Sequence, residues 1–250
     1  MIRRHLNYRT SNPALNKNTF NSVSSSNPFT LDKRMTIRGT VDKTAICLIL
    51  LLIPAYYVFT TGSVAYAIPG AIIGFILFMV TIFKRKWVQY TVPAYSVAQG
   101  FFLGGISYYF NQSYEGIVLQ SISLTVCILF SLLFAYRAKI IKPTENLKLG
   151  IFAATGGIAL LYAVDFIMSF FGTGISLLDI NNSSNFSIGV SLFIVVIASL
   201  NLVIDFDFIE EGSERGAPKY MEWYGAFGLL VTLIWLYLEI LRMLAKMKNR

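Results

Sequence analysis

FSIGVSLFIVVIASLNLVIDF, residues 186–206, holds one ionisable side chain in 21 positions, and that one, Asp205, stands next to its end. An apolar run of this length crosses about 30 Å of hydrocarbon as a helix. Lipid offers no water to backbone N–H and C=O groups, so a spanning segment is a helix or part of a closed barrel. The run is continuous rather than alternating, which selects the helix. Six more runs share the pattern, and the set measures roughly 17 to 23 residues apiece, the length a bilayer asks for. They are Thr44–Thr61, Val64–Phe83, Val88–Phe110, Gly116–Tyr136, Leu149–Phe171 and Trp223–Leu244. The chain reads as an all-α integral membrane protein with seven transmembrane helices.

Composition agrees. Apolar residues make up 55% of the chain, charged residues only 14%, and mean hydropathy is +0.61. A soluble domain carries about 25% charged residues, so this chain cannot cover itself in water. Residues 1–43 are rich in Asn, Ser, Arg and Lys and read as a flexible cytosolic tail, with Met35–Lys43 near enough to pack on the bundle. Residues 44–250 form the transmembrane domain. Glycine patches at Gly70–Gly74, Gly100–Gly105 and Gly156–Gly157 suit close helix contacts.

The net charge of +8 belongs to topology rather than to nucleic acid, because no basic amphipathic helix or zinc spacing accompanies it. Eight Lys or Arg lie in the tail, three in Lys84–Lys86 and four in Arg137–Lys148, whereas the loops after the third and fifth spans hold only Glu115 and Asp179. The positive-inside rule then puts the N-terminus in the cytoplasm. Seven spans would put the C-terminus outside, against the charges of Arg242, Lys246, Lys248 and Arg250. Two readings stay open: the last segment spans, or it is re-entrant.

Of thirteen carboxylates, three lie within or at the end of spans: Asp165, Asp205 and Glu239. An ionised side chain at the bilayer centre costs at least about 2.5–3.5 kcal/mol on insertion scales, so such groups face the bundle interior and a partner. Burial favours the neutral form of an acid, and a second carboxyl nearby lets the two share one proton. Separated by deprotonation, the pair would offer hard oxygens suited to Ca²⁺. The plainer alternatives are structural: Asp165 satisfied by a hydroxyl or a backbone group, Asp205 a charge at a span end, and Glu239 an i,i+3 ion pair with Arg242. Asp207, Glu210, Glu211 and Glu214 read as a solvated acidic turn or as a lure for cations at a pore mouth.

Enzyme chemistry has little to stand on. The only histidine, His5, is in the tail, and no hydrolase or phosphate-loop motif appears in a suitable context. Cys47 and Cys127 fall inside spans and read as small apolar residues. No tightly bound cofactor is implied.

Several stretches carry a resemblance. Asn201-Leu-Val-Ile-Asp-Phe-Asp-Phe-Ile-Glu, Gly216-Ala-Pro-Lys-Tyr-Met-Glu-Trp-Tyr-Gly and Leu236-Tyr-Leu-Glu-Ile-Leu-Arg resemble the bacterial YccA-like branch of the transmembrane Bax inhibitor motif family, as do Gly116-Ile-Val-Leu-Gln, Ala153-Ala-Thr-Gly-Gly and Ser11-Asn-Pro. The resemblance implies six helices around a central, last one. It also implies a pH-sensitive calcium leak channel of the inner membrane, gated by a proton-sharing pair of acids on the last two helices. Asp205 matches the first acid, and Glu239 matches the second with Glu in place of Asp. By the same resemblance these two would also be the metal ligands for Ca²⁺, the transported ion, and Arg85 is the approximate match to a latch arginine. Gln99 stands where many relatives carry Glu, a departure that takes the charge from that position; Asp165, Gln99 and Asp207 are secondary candidates, on the ion path or structural. Implied partners are the bilayer, Ca²⁺ and protons. The alternative is a non-conducting regulator of a membrane protease or a stress response.

Overall fold

The computed structural model describes residues 34–250; most of the expected tail, including His5 and Ser11-Asn-Pro, lies outside the described residues. Among the described residues seven α-helices follow one another: α1 Ile37–Thr61, α2 Ala67–Phe83, α3 Val88–Ser113, α4 Ile117–Arg137, α5 Glu145–Ser169, α6 Asn185–Glu214 and α7 Met221–Lys248. Local chemistry sets several boundaries. Thr36, Thr144 and Ser184 cap α1, α5 and α6, each hydroxyl accepting a backbone N–H three residues on. Gly62 ends α1 at φ 66° and Gly116 starts α4 at φ 75°, left-handed positions that favour glycine.

Two boundaries differ from the sequence reading. Helix α1 begins at Ile37 rather than Thr44, and Met35 is buried, so the last stretch assigned to the tail belongs to the bundle. The acidic segment Asp207–Glu214 is helical, the last two turns of α6, rather than a turn, and Glu210 and Glu214 are exposed as expected.

Six of the helices are long and apolar enough to cross a membrane. Helix α3, at 26 residues, is long enough but more polar. The reason is its position: α1, α2, α4 and α7 pack around it, so little of it meets lipid. Helix α7 lies at the centre. In its most apolar 18 residues 61% are buried, against 11–44% for the other five apolar helices. Phe227, Leu230, Ile234 and Leu241 join the core shared with α1, α3 and α4, while Leu229, Leu233, Leu236 and Ile240 join the core shared with α6 and α4.

Lipid tails are as apolar as leucine, so close packing and interhelical hydrogen bonds hold such a bundle together. Helices α1, α2 and α3 meet through glycine. A Cβ on Gly100 would run into the Leu51 carbonyl oxygen, and one on Gly104 would lie 2.6 Å from that of Ala55. Gly70 and Gly74 likewise receive α3. Gly156 and Gly157 differ: a Cβ there meets nothing within 4 Å, so this pair makes no helix contact in the described chain.

The two ends of the bundle are distinct. Met35, the Arg85 turn and the Ala217 turn share one end, the near end. At the far end, Lys248 donates to the Glu115 carbonyl at 2.8 Å, Tyr114 to Asn249 at 2.7 Å, and Asn249 to the Ile180 carbonyl at 3.1 Å. The last helix therefore runs the length of the bundle without turning back, and its basic C-terminal turn sits with the loops after α3 and α5. Gly100→Val is expected to destabilise the protein by about 1–3 kcal/mol or more through overpacking, while Gly156→Ala is neutral or stabilising because alanine favours the helix. Thermal unfolding of both variants in one detergent checks the contrast.

Candidate functional site

Polar side chains follow α7 from the near end to the far end. At the near end the α6–α7 turn receives the segment before α1. The Met35 N–H donates to the Ala217 carbonyl at 2.7 Å, and the Met35 side chain lies against Gly212 and Gly225. Glu222, fully buried in the first turn of α7, accepts from the Thr36 backbone N–H at 3.0 Å and from its hydroxyl at 2.9 Å. Its other oxygen pairs with Lys43. Gly39 makes room for this carboxylate, since any Cβ there would fall inside it. Sequence reasoning missed Glu222 and Lys43, because both stand at span ends, where a charge attracts no notice.

Two turns further along α7 lies Asp205 of α6. Its Oδ1 is 3.4 Å from where a Cβ of Gly228 would stand, and Thr232 faces it from the next turn. Its Oδ2 is buried without a hydrogen-bond partner among the described residues. Nearer the end, Arg85 stacks over the Tyr224 ring at 5.5 Å, and Phe208 packs on the same ring. Arg85 thus sits one turn of α7 from Gly228 but bonds to neither candidate acid.

Glu239 is 2% exposed and well supplied with donors. Its Oε1 accepts from the Tyr162 hydroxyl at 2.7 Å and from Trp235 Nε1 at 3.1 Å, and Arg242 reaches both oxygens at 3.2 Å. Arg242 also donates to the Tyr162 oxygen at 2.6 Å. The i,i+3 pairing with Arg242 is thus the one formed. No hydrogen bond joins Glu239 to Asp205 among the described residues. The α6–α7 hairpin sets Asp205 level with Gly228 and Thr232, and Glu239 stands seven residues beyond Thr232, about 10 Å at 1.5 Å per residue. The directly proton-sharing pair is therefore not assembled in this structure. No cluster of three or more His, Cys, Asp or Glu side chains placed to hold a metal ion occurs among the described residues.

The remaining candidates are placed as follows. Asp165 accepts the Ile175 N–H at 2.7 Å and fastens the α5–α6 loop, a structural duty. Asp207 pairs with Lys148 at 2.6 Å, while Glu210 and Glu211 are held by Tyr136 and Arg215. Gln99 lies over Gly74, with a buried Oε1 that lacks a partner among the described residues. It lines a cavity of about 310 Å³ with Phe78, Tyr95 and Phe102, and neither acid is among the lining residues. At the far end Lys246, fully buried, donates to the Leu177 carbonyl at 2.6 Å and to Ser187 at 2.8 Å.

A helical bundle whose central helix carries partnered charges through the bilayer defines a class of polytopic membrane protein with a polar interior. The model of the family described as Bax inhibitor 1 like matches residues 12–249, and the chain belongs to that family. A search of curated proteins finds no match.

Removing one partner of a buried ion pair costs about 3–5 kcal/mol because the other charge is left uncompensated. Lys43→Ala and Glu222→Ala are each expected to lower stability by that order. Their double variant should fall well short of the sum, as read by a double-mutant cycle of unfolding in detergent.

Proposed function

We propose that this protein is a pH-sensitive cation leak channel, with calcium as the ion, in the inner membrane of a bacterium and with its N-terminus in the cytoplasm. One observation carries the reading: the unpartnered Asp205 oxygen at the contact of α6 with the central helix. A buried polar group without a partner is costly, and a buried charge far more so. Protonated, Asp205 lets α6 and α7 stay closed on each other. Ionised, it leaves a negative charge between them with no fixed cation in contact, so the helices part or a cation enters.

Glu239 is the second acid of the gate and acts at a distance from the first. Its charge is balanced by Arg242, and an arriving cation competes with that guanidinium for the carboxylate. Arg85, over the Tyr224 ring, is a basic residue at the near end of this route. The reaction is conduction, with no bond made or broken, so the reading is not an enzymatic one.

A second reading has its own support. Tyr162, Trp235 and Arg242 occupy Glu239 so fully that its carboxylate leaves no opening for a cation. That favours a non-conducting regulator, with a membrane protease as the partner.

Calcium flux into proteoliposomes, followed from about pH 6 to pH 8 across the range of raised carboxyl groups, separates the two. Asp205→Asn is expected to abolish the pH response, and Arg242→Gln to raise flux several-fold by freeing Glu239. Absence of flux from well-folded protein, together with co-purification of a protease, would instead establish the regulator.

A further inference from the structure

Helix α5 is attached unlike the others. Of its 25 residues only Ile151 and Ile158 are buried. Leu149, Phe152, Leu160 and Phe166 are exposed, and Gly150, Gly156 and Gly157 border open space. Its hold on the bundle is one face: positions 148, 151, 155, 158 and 162 follow alternating steps of three and four, with Ala154 and Leu161 packed beside them. Of the five, two are the isoleucines. The other three are polar rungs seven residues apart: Lys148 on Asp207 at 2.6 Å, Thr155 accepting from Asn201 at 2.8 Å, and Tyr162 on Glu239 and Arg242.

The rungs are unequal. At the far end Tyr162 is locked into the Glu239 cluster, Asp165 holds the loop at Ile175, and the same loop is pinned through Leu177 to buried Lys246. At the near end the last rung is a single ion pair with side chains about a quarter exposed, 27% for Lys148 and 23% for Asp207. Surface pairs of this kind are weak. Lys148 also has a second partner on its own helix, Glu145 at 3.3 Å, so it stays paired if Asp207 lets go. A tie with a ready alternative partner and an anchored opposite end makes a two-state element.

We propose that α5 is a hinged door: it pivots about its far end at Tyr162 and Asp165, its latch is Lys148–Asp207, and its opening exposes the Thr155–Asn201 rung from the near end. This goes beyond the ion-leak reading and does not depend on it, because the motion is measured without flux.

The test is a distance between spin labels in the Cys127→Ser background, since Cys127 is exposed and Cys47 is buried. One pair, Tyr90→Cys with Leu149→Cys, reports the near end; the other, Tyr109→Cys with Phe170→Cys, reports the far end, and all four sites are exposed. Leu149 lies sixteen residues from Asp165, about 24 Å along the helix at 1.5 Å per residue, so a swing of about 15° moves it by about 6 Å. Lys148→Ala and Asp207→Asn are expected to add a population shifted by that order at the near pair and none at the far pair. High salt, which screens exposed pairs, should do the same in the otherwise unaltered background. The charge swap Lys148→Asp with Asp207→Lys should restore the closed distance. Near-end distances unchanged in both variants and in salt would overturn the door, as would equal shifts at both ends.

Discussion

No water reaches the middle of a bilayer, so every polar group placed there has to find its partner within the protein. Helix α7 meets this demand repeatedly. Glu222, Glu239, Arg242 and Lys246 all lie on a helix that the rest of the chain surrounds, and each is answered by another element: Thr36 and Lys43 from α1, Tyr162 from α5, and Ser187 with the Leu177 carbonyl from α6 and its preceding loop. Charges that would be prohibitive in lipid become the connections that fix where the neighbouring helices stand. Asp205 and Gln99 are the departures, each with a buried oxygen that nothing described answers. A group left in that condition within an otherwise satisfied interior is the natural place to look for a change of state.

The helices were legible because the property that defines them is one of length and continuity. A run such as residues 186–206 admits one solution in lipid. Boundaries were less so. Ile37–Lys43 contains Arg38, Asp42 and Lys43, and reads as a polar flank until Glu222 is known to cover one of those charges. The acids were also legible, and for Glu239 so was the partner, because an i,i+3 spacing to Arg242 is a property of one helix. The relation of Asp205 to Glu239 was not. It depends on the register of two antiparallel helices, which the turn between Glu214 and Met221 sets, and no periodicity within either helix records that register. Lys246 shows the same limit: at the end of an apolar run it reads as a topology signal, yet its ammonium is consumed by a carbonyl in a loop sixty-nine residues earlier.

Glycine divides the bundle into a tight half and a loose half. Glycines in α2 and α3 admit the backbones of their neighbours in the α1–α3 group, so these three helices form a block with little freedom to slide. In α5 the glycines border empty space, and a small apolar patch around Ile158 is joined by three polar contacts. The chain thus joins a rigid scaffold to a peripheral helix held by a few directional bonds, and these are the parts most easily undone and remade.

The placement of α7 has a consequence for biosynthesis. Chains emerge N-terminal end first, so the six helices that enclose α7 are made before the helix they enclose. Until it arrives, Lys43, Tyr162 and the Leu177 carbonyl lack the groups that answer them, and the apolar faces that meet it border lipid or one another. Insertion of the first six spans can therefore produce only a provisional arrangement with a vacant centre. Assembly is completed by the entry of the last span, and a ribosome that stalls before Met221 would release a membrane-embedded chain with unanswered polar groups, a natural substrate for quality control.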